Sequence, residues 1–150
     1  LKTANLPAAT VIGAGAFNSC AALASINLPE AADIGEGAFR SCAALASINL
    51  PEATAIKTNA FYSCIALASA DLPAATAIGT SAFFGCSALE SLTLGTTLPE
   101  LGATVFYNAG KGEGFTIYVP DETAQSALEA EIATDGSGWY KALYTNIGTG

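Results

Sequence analysis

The 150-residue chain contains no histidine and no methionine, and only 12% of it is charged. Each absence removes a class of function. Without histidine there is no Ser-His-Asp arrangement, no imidazole general base and almost no common zinc site. An ordinary soluble domain carries about 25% charged residues, so this surface must be built largely from Ala, Ser, Thr, Asn and Gly. Positive charge is scarcer still: five Lys and Arg stand against thirteen Asp and Glu, giving a net charge of −8. Nucleic-acid binding needs clustered cations that release phosphate counterions, and attraction to an anionic bilayer needs them too, so neither partner is expected. No apolar run approaches the ~20 residues of a membrane-spanning helix, which excludes membrane insertion by this segment. The missing methionine bears on the chain's start. Residue 1 is Leu, and the chain is expected to continue upstream.

What is present is a period. Leu6-Pro7, Leu28-Pro29, Leu50-Pro51 and Leu72-Pro73 recur every 22 residues, and Leu94 continues the series. The same interval separates Ile12, Ile34, Ile56 and Ile78, then Phe17, Phe39, Phe61 and Phe83, then Cys20, Cys42, Cys64 and Cys86. The units starting at Leu6 and Leu28 agree at 17 of 22 positions. A period of this length falls in the range of leucine-rich solenoids and below that of helical-pair repeats. Within a unit, Ser25-Ile26-Asn27-Leu28 alternates polar and apolar residues as a half-buried strand does. Pro29, which lacks an N–H donor, ends it. Gly13, Gly35 and Gly79 mark turns, and Ala38-Phe39 through Cys42 reads as a short helical or 3₁₀ turn on the return path. One unit is too small to fold alone, so the units must stack and bury each other's faces. Rungs packed about 4.8 Å apart suit the many alanines.

Residues 1–94 form the regular repeats and 95–120 are degenerate ones, with one residue inserted before Phe106. Phe115-Thr-Ile117-Tyr-Val119-Pro120 restates the strand-plus-proline pattern, after a Gly110–Gly114 run that reads as a loop or hairpin tip. Residues 121–150 read as a C-terminal helical cap, with Asp121 as N-cap, Glu122 in the first turn, and Ala124, Leu128, Glu131 and Ile132 at helical spacing. Trp139, Leu143 and Ile147 recur at four-residue intervals, which predicts a last amphipathic segment over the solenoid's end. Tyr107, Tyr118, Trp139, Tyr140 and Tyr144 are expected to pack within that cap. The fold class is therefore a single leucine-rich-repeat solenoid, β-rich with short helical turns.

The string Ile34-Gly35-Glu36-Gly37-Ala38-Phe39, continued by Cys42, Leu45, Ile48 and Leu50-Pro51, resembles the BspA-like leucine-rich repeat of bacterial surface proteins. The ending Ile-Tyr-Val-Pro, a helix, Gly-Trp and a late Ile is similar to the C-terminus of Bacteroides-type members. The resemblance implies a right-handed solenoid, a cell-surface or extracellular location, and a role in adhesion or binding of host proteins. Units of 22 residues, where 23 is commoner in the family, and an abundance of Ala are this chain's departures.

Function then rests on surface columns. Asn5, Asn27, Asn49, Asp71 and Thr93 form an outward strand column, read either as a polar ladder for an extended partner or as simple solvation. Asn18, Arg40, Tyr62 and Phe84 vary from unit to unit on the return path. They form either an interaction patch or a set of side chains that only pack on one another. The candidate interaction surface is therefore Asn27, Asn49 and Asp71 together with Arg40, Tyr62 and Phe84. The four cysteines read as a ladder of buried thiols. Adjacent rungs bring pairs such as Cys20–Cys42 and Cys64–Cys86 close enough for disulfides, although parallel inward side chains disfavour the required dihedral. Asp33 with Glu36, and Asp121 with Glu122, are isolated surface acids rather than a catalytic pair, and no calcium-loop motif occurs. The chain is expected to be a monomeric, non-enzymatic binding module without catalytic, cofactor or metal sites, engaging a surface protein or glycan. The alternative is a structural spacer in a larger surface protein.

Overall fold

The computed structural model describes residues 1–110 and 114–133, and the backbone of 144–149. Each turn of the coil lays one strand on each of two walls. The first wall holds β1 (Thr3–Asn5), β3 (Ser25–Asn27), β5 (Ser47–Asn49), β7 (Ser69–Leu72), β9 (Ser91–Leu94), β11 (Phe115–Val119) and β12 (Tyr144–Thr149). The second holds β2 (Val11–Ile12), β4 (Asp33–Ile34), β6 (Ala55–Ile56), β8 (Ala77–Ile78) and β10 (Glu100–Leu101). All pairings are parallel, and each residue meets its own equivalent one repeat on, as in Thr3↔Ser25, Ile34↔Ile56 and Asp71↔Thr93. The first wall has a seam between β3 and β5, crossed by the Ala46 N–H on the Ala24 carbonyl at 3.3 Å. Leu72 pairs with Leu94, but Ile78 pairs with Leu101. The expected extra residue therefore lies between Leu94 and Glu100.

The return path makes a third wall of a different kind. Gly15, Phe17 and Ser19 donate their N–H groups to the carbonyls of Glu36, Ala38 and Arg40 in the next rung, at 2.8, 2.7 and 2.7 Å. The same three bonds recur from Gly37, Phe39 and Ser41, and again in the two rungs that follow. The intervening residues bond three positions back, as in Asn18 N–H to Gly15 O at 3.0 Å and Cys20 N–H to Phe17 O at 3.1 Å. The short helical turn read from the sequence thus has the i→i+3 bonds of a 3₁₀ segment without its continuity. What interrupts it is a pair of left-handed columns. Gly15, Gly37, Asn59, Ser81 and Thr104 form one; Ser19, Ser41, Ser63, Gly85 and Asn108 form the other, with φ between 53° and 72°. At these positions the chain turns its even and odd amides to different partners.

Side chains follow from this frame. Phe17, Phe39, Phe61 and Phe83 stack inside with centroids 5.2–5.3 Å apart and planes within 13°. Phe106 extends the stack at 5.9 Å, and Phe115, tilted by 52°, ends it. Buried Ile34, Ile56 and Ile78, Leu45, Leu67 and Leu89, and the alanines at 38, 60 and 82 fill the rest of each rung. Close approach also explains Gly35: a Cβ there would lie 2.6 Å from the Ala14 nitrogen of the preceding rung.

The helix α1 (Glu122–Ala133) forms where expected, with Asp121 Oδ1 accepting the Ala124 N–H at 2.8 Å and Ala124 and Leu128 buried. The last amphipathic segment is corrected. Residues 144–149 are the strand β12, in parallel register with β11 through pairs such as Ile117↔Ile147. An exposed strand edge leaves a row of unpaired backbone groups, and β12 supplies the partner for β11. Trp139, Tyr140 and Leu143, like the tip 111–113, lie outside the described residues.

Left-handed φ costs an L-residue of order 1 kcal/mol and glycine almost nothing. Gly85 already occupies the column of Ser41 (φ 60°). Ser41→Gly is therefore expected to raise stability in urea by up to about 1 kcal/mol, whereas Ser41→Ala leaves the strain in place and gives no gain.

Candidate interaction surface

The strand wall turns its short polar columns outward. Asn5, Asn27 and Asn49 are exposed, and Asp71 and Thr93 are half-buried. Asn27 Nδ2 donates to Asn5 Oδ1 at 2.9 Å, so two side chains of this column satisfy each other. Tyr118 is paired with Thr93 through the backbone and is 36% exposed. It extends the outward column and does not pack in the cap as expected.

The return wall brings the second set together. Tyr62 and Phe84 stack at 4.8 Å with planes 7° apart, and the Arg40 guanidinium carbon sits 4.9 Å from the Tyr62 centroid. Phe84 in turn stacks on Tyr107 at 5.1 Å. Tyr107 is 57% exposed and is the fifth member of this column, after Asn18, Arg40, Tyr62 and Phe84, again contrary to the cap expectation. The inserted residue hides that membership, because Phe84 and Tyr107 are 23 apart rather than 22. Ile65, 54% exposed, lies three residues beyond Tyr62. Arg40 makes no ion pair among the described residues, whereas Lys57 Nζ pairs with Asp33 Oδ2 at 2.8 Å. Asn27, Asn49 and Asp71 thus lie on one wall and Arg40, Tyr62 and Phe84 on another. They are two surfaces, not one.

The model of the BspA-type leucine-rich repeat region matches six copies across residues 3–125. The chain belongs to the BspA-type leucine-rich repeat family. Searches of curated proteins and of solved structures found no match. The family match runs through the degenerate units into α1, in keeping with β10 and β11 occupying ordinary rung positions.

Among the described residues, concavities open at two places on this BspA-type solenoid. One, about 660 Å³, opens at a corner where Gly95 replaces the proline of earlier rungs, between Pro73 and Pro120 and beside Tyr118. The other, about 510 Å³, is a trough on the second wall where Gly79 and Gly102 lack side chains next to Lys57. Among the described residues no group of three or more His, Cys, Asp or Glu is placed to hold a metal.

The four cysteines are free thiols, with Cys42, Cys64 and Cys86 buried and Cys20 partly so. Cys42, Cys64 and Cys86 donate to the carbonyls of Phe17, Phe39 and Phe61 at 3.1, 3.0 and 3.1 Å. Each thiol thus ties itself to the preceding rung. Burial pushes the Cys42 thiol up to about 11 and that of Cys86 to about 12. Cys64 is raised further, by burial first and then by the neighbouring Cys86 and Cys42. These groups are inert hydrophobes rather than nucleophiles. An ordinary cysteine ionises near 9, so above that pH the unfolded chain releases protons that the folded chain retains. Stability is then lost as pH rises. The urea midpoint is expected to fall between pH 9 and 12, with Cys86→Ala flattening part of the fall. Below pH 9 only Cys20 should react readily with a thiol reagent in the folded protein.

Proposed function

We propose that this domain is a non-enzymatic binding module of a surface or secreted protein, and that it engages its protein or glycan partner through the return wall. The observation that carries this reading is the stripe Arg40–Tyr62–Phe84–Tyr107, part-exposed on an otherwise low-charge surface. Tyr, Trp and Arg dominate binding hot spots: the aromatic rings offer large contact area with few rotors to freeze, and Arg offers a planar fork of donors. Here neighbouring rungs already hold the side chains in place, so little entropy remains to be lost on binding. The family match supports a solenoid scaffold of the kind that binds through its surface. The zero count of histidine argues against most general-base chemistry.

The spacer reading draws on a different observation. From β1 to β9 the outward column of the strand wall carries only short polar side chains, Asn5, Asn27, Asn49, Asp71 and Thr93, and two of them, Asn5 and Asn27, bond to each other. As a spacer the domain would hold another part of its protein away from the surface and contact nothing itself.

The two readings separate on an array of glycoproteins and glycans probed with the 150-residue chain. A binding module captures at least one spot and loses it, by roughly tenfold or more in affinity, in the Tyr62→Ser, Phe84→Ser double variant. The urea midpoint of that variant should change little, since the inner Phe61–Phe83 stack is untouched. A chain that captures nothing from a broad array favours the spacer reading.

A further inference from the structure

The stripe has a particular electrostatic character. An aromatic ring is negative over its faces and positive around its edge. In the column of Arg40, Tyr62, Phe84 and Tyr107 the inner ring faces are used up: Phe84 lies between Tyr62 and Tyr107, and Arg40 lies over Tyr62 at 4.9 Å. Stacked this way, Tyr62 and Phe84 have both faces covered and leave their edges to solvent. A partner meets positive C–H edges, two phenolic hydroxyls and a guanidinium with no carboxylate bonded to it among the described residues. Ser41 and Ser63, held left-handed beside Arg40 and Tyr62, add a hydroxyl at each of those rungs. The stripe is a band of hydrogen-bond donors and positive edges on a chain of net charge −8.

We propose that this band binds a carboxylated polysaccharide, an extended β-linked chain of uronic acid residues laid along the solenoid axis; this rests on the return wall being the binding surface. Three features of the stripe select that ligand. A sugar carboxylate matches the two-pronged donor geometry of Arg40, which a planar guanidinium satisfies bidentately. Ring oxygens and hydroxyls suit positive aromatic edges and serine hydroxyls better than an apolar peptide would. The spacing fits as well, because an extended β-linked pyranose chain advances by about one rung per residue, against the 4.8, 4.9 and 5.1 Å steps of the stripe. The net charge opposes an anion at long range, but at physiological salt that field is screened within about 8 Å, while the Arg40 contact is direct. Binding is therefore expected to be weakest at low salt, the reverse of an ordinary basic patch.

The test is calorimetric titration of the full chain with β-linked mannuronate oligosaccharides, the neutral mannose oligosaccharides of the same linkage, and polyglutamate. The expected result is mannuronate binding that exceeds the neutral sugar and polyglutamate by about tenfold or more. Arg40→Gln should lower it about tenfold, and Arg40→Lys, which keeps charge but not the two-pronged geometry, should restore only part of the loss. Urea midpoints within experimental scatter of the unsubstituted chain confirm that both variants are folded. No mannuronate binding, equal binding of polyglutamate, or binding indifferent to Arg40→Gln overturns the proposal. If mannuronate fails while an array partner is still lost in the Tyr62→Ser, Phe84→Ser variant, the ligand class is wrong and the binding wall stands. If both fail, the wall is not a binding surface.

Discussion

The structure depends on one constraint, the backbone hydrogen bond from each rung to its neighbour. It fixes the repeat along the axis at about 4.8 Å, and every side chain then meets its own equivalent one unit away. A phenylalanine can satisfy that only by lying parallel to the next phenylalanine, as Phe39 and Phe61 do with planes 1° apart. A cysteine at the same depth meets the carbonyl of the rung before it, as Cys64 meets Phe39. Where the backbone of one rung comes close to its neighbour, glycine relieves the crowding, as at Gly35. Small or flat residues in the crowded columns are thus a consequence of the ladder, and so is the abundance of alanine.

Much of this is legible in the sequence because stacking demands identity. The columns of Leu, Ile, Phe and Cys announce the repeat, and the capped helix after Asp121 follows from ordinary capping chemistry. Other features are hidden for physical reasons. The left-handed columns mix Gly, Asn, Ser and Thr, so no single residue type flags them; strain there is tolerated because the amides find partners in the next rung. Four-residue spacing of Leu143 and Ile147 imitates a helix, but an open strand edge at β11 is the stronger demand. The exposure of Tyr107 is masked by one inserted residue. Carrying the insertion through to the column of Arg40, Tyr62 and Phe84 would have placed it there.

The two outward surfaces differ in what they offer a partner. On the strand wall, the short amides of Asn5 and Asn27 bond to each other, which leaves fewer of their polar groups free for a partner. On the return wall the varying column accumulates aromatic rings toward the C-terminal rungs, from Asn18 through Arg40 and Tyr62 to Phe84 and Tyr107. A strict framework with one column free to vary allows surface chemistry to change without touching the core. The same residues stack on one another and stay part-exposed, so mutual packing does not bury the column.

Strand ladders cancel their peptide dipoles, and sheets carry little net moment. The return wall does not share that cancellation. Its rung-to-rung bonds run N–H to C=O in one sense from Gly15 through Gly85, so their dipoles add along the axis as they do in an α-helix. Carbonyl oxygens face the first rung and amide hydrogens face the last. One side of the coil is therefore an electrical polarity axis, with its positive pole at the rung of Tyr107 and its negative pole beside Asn18.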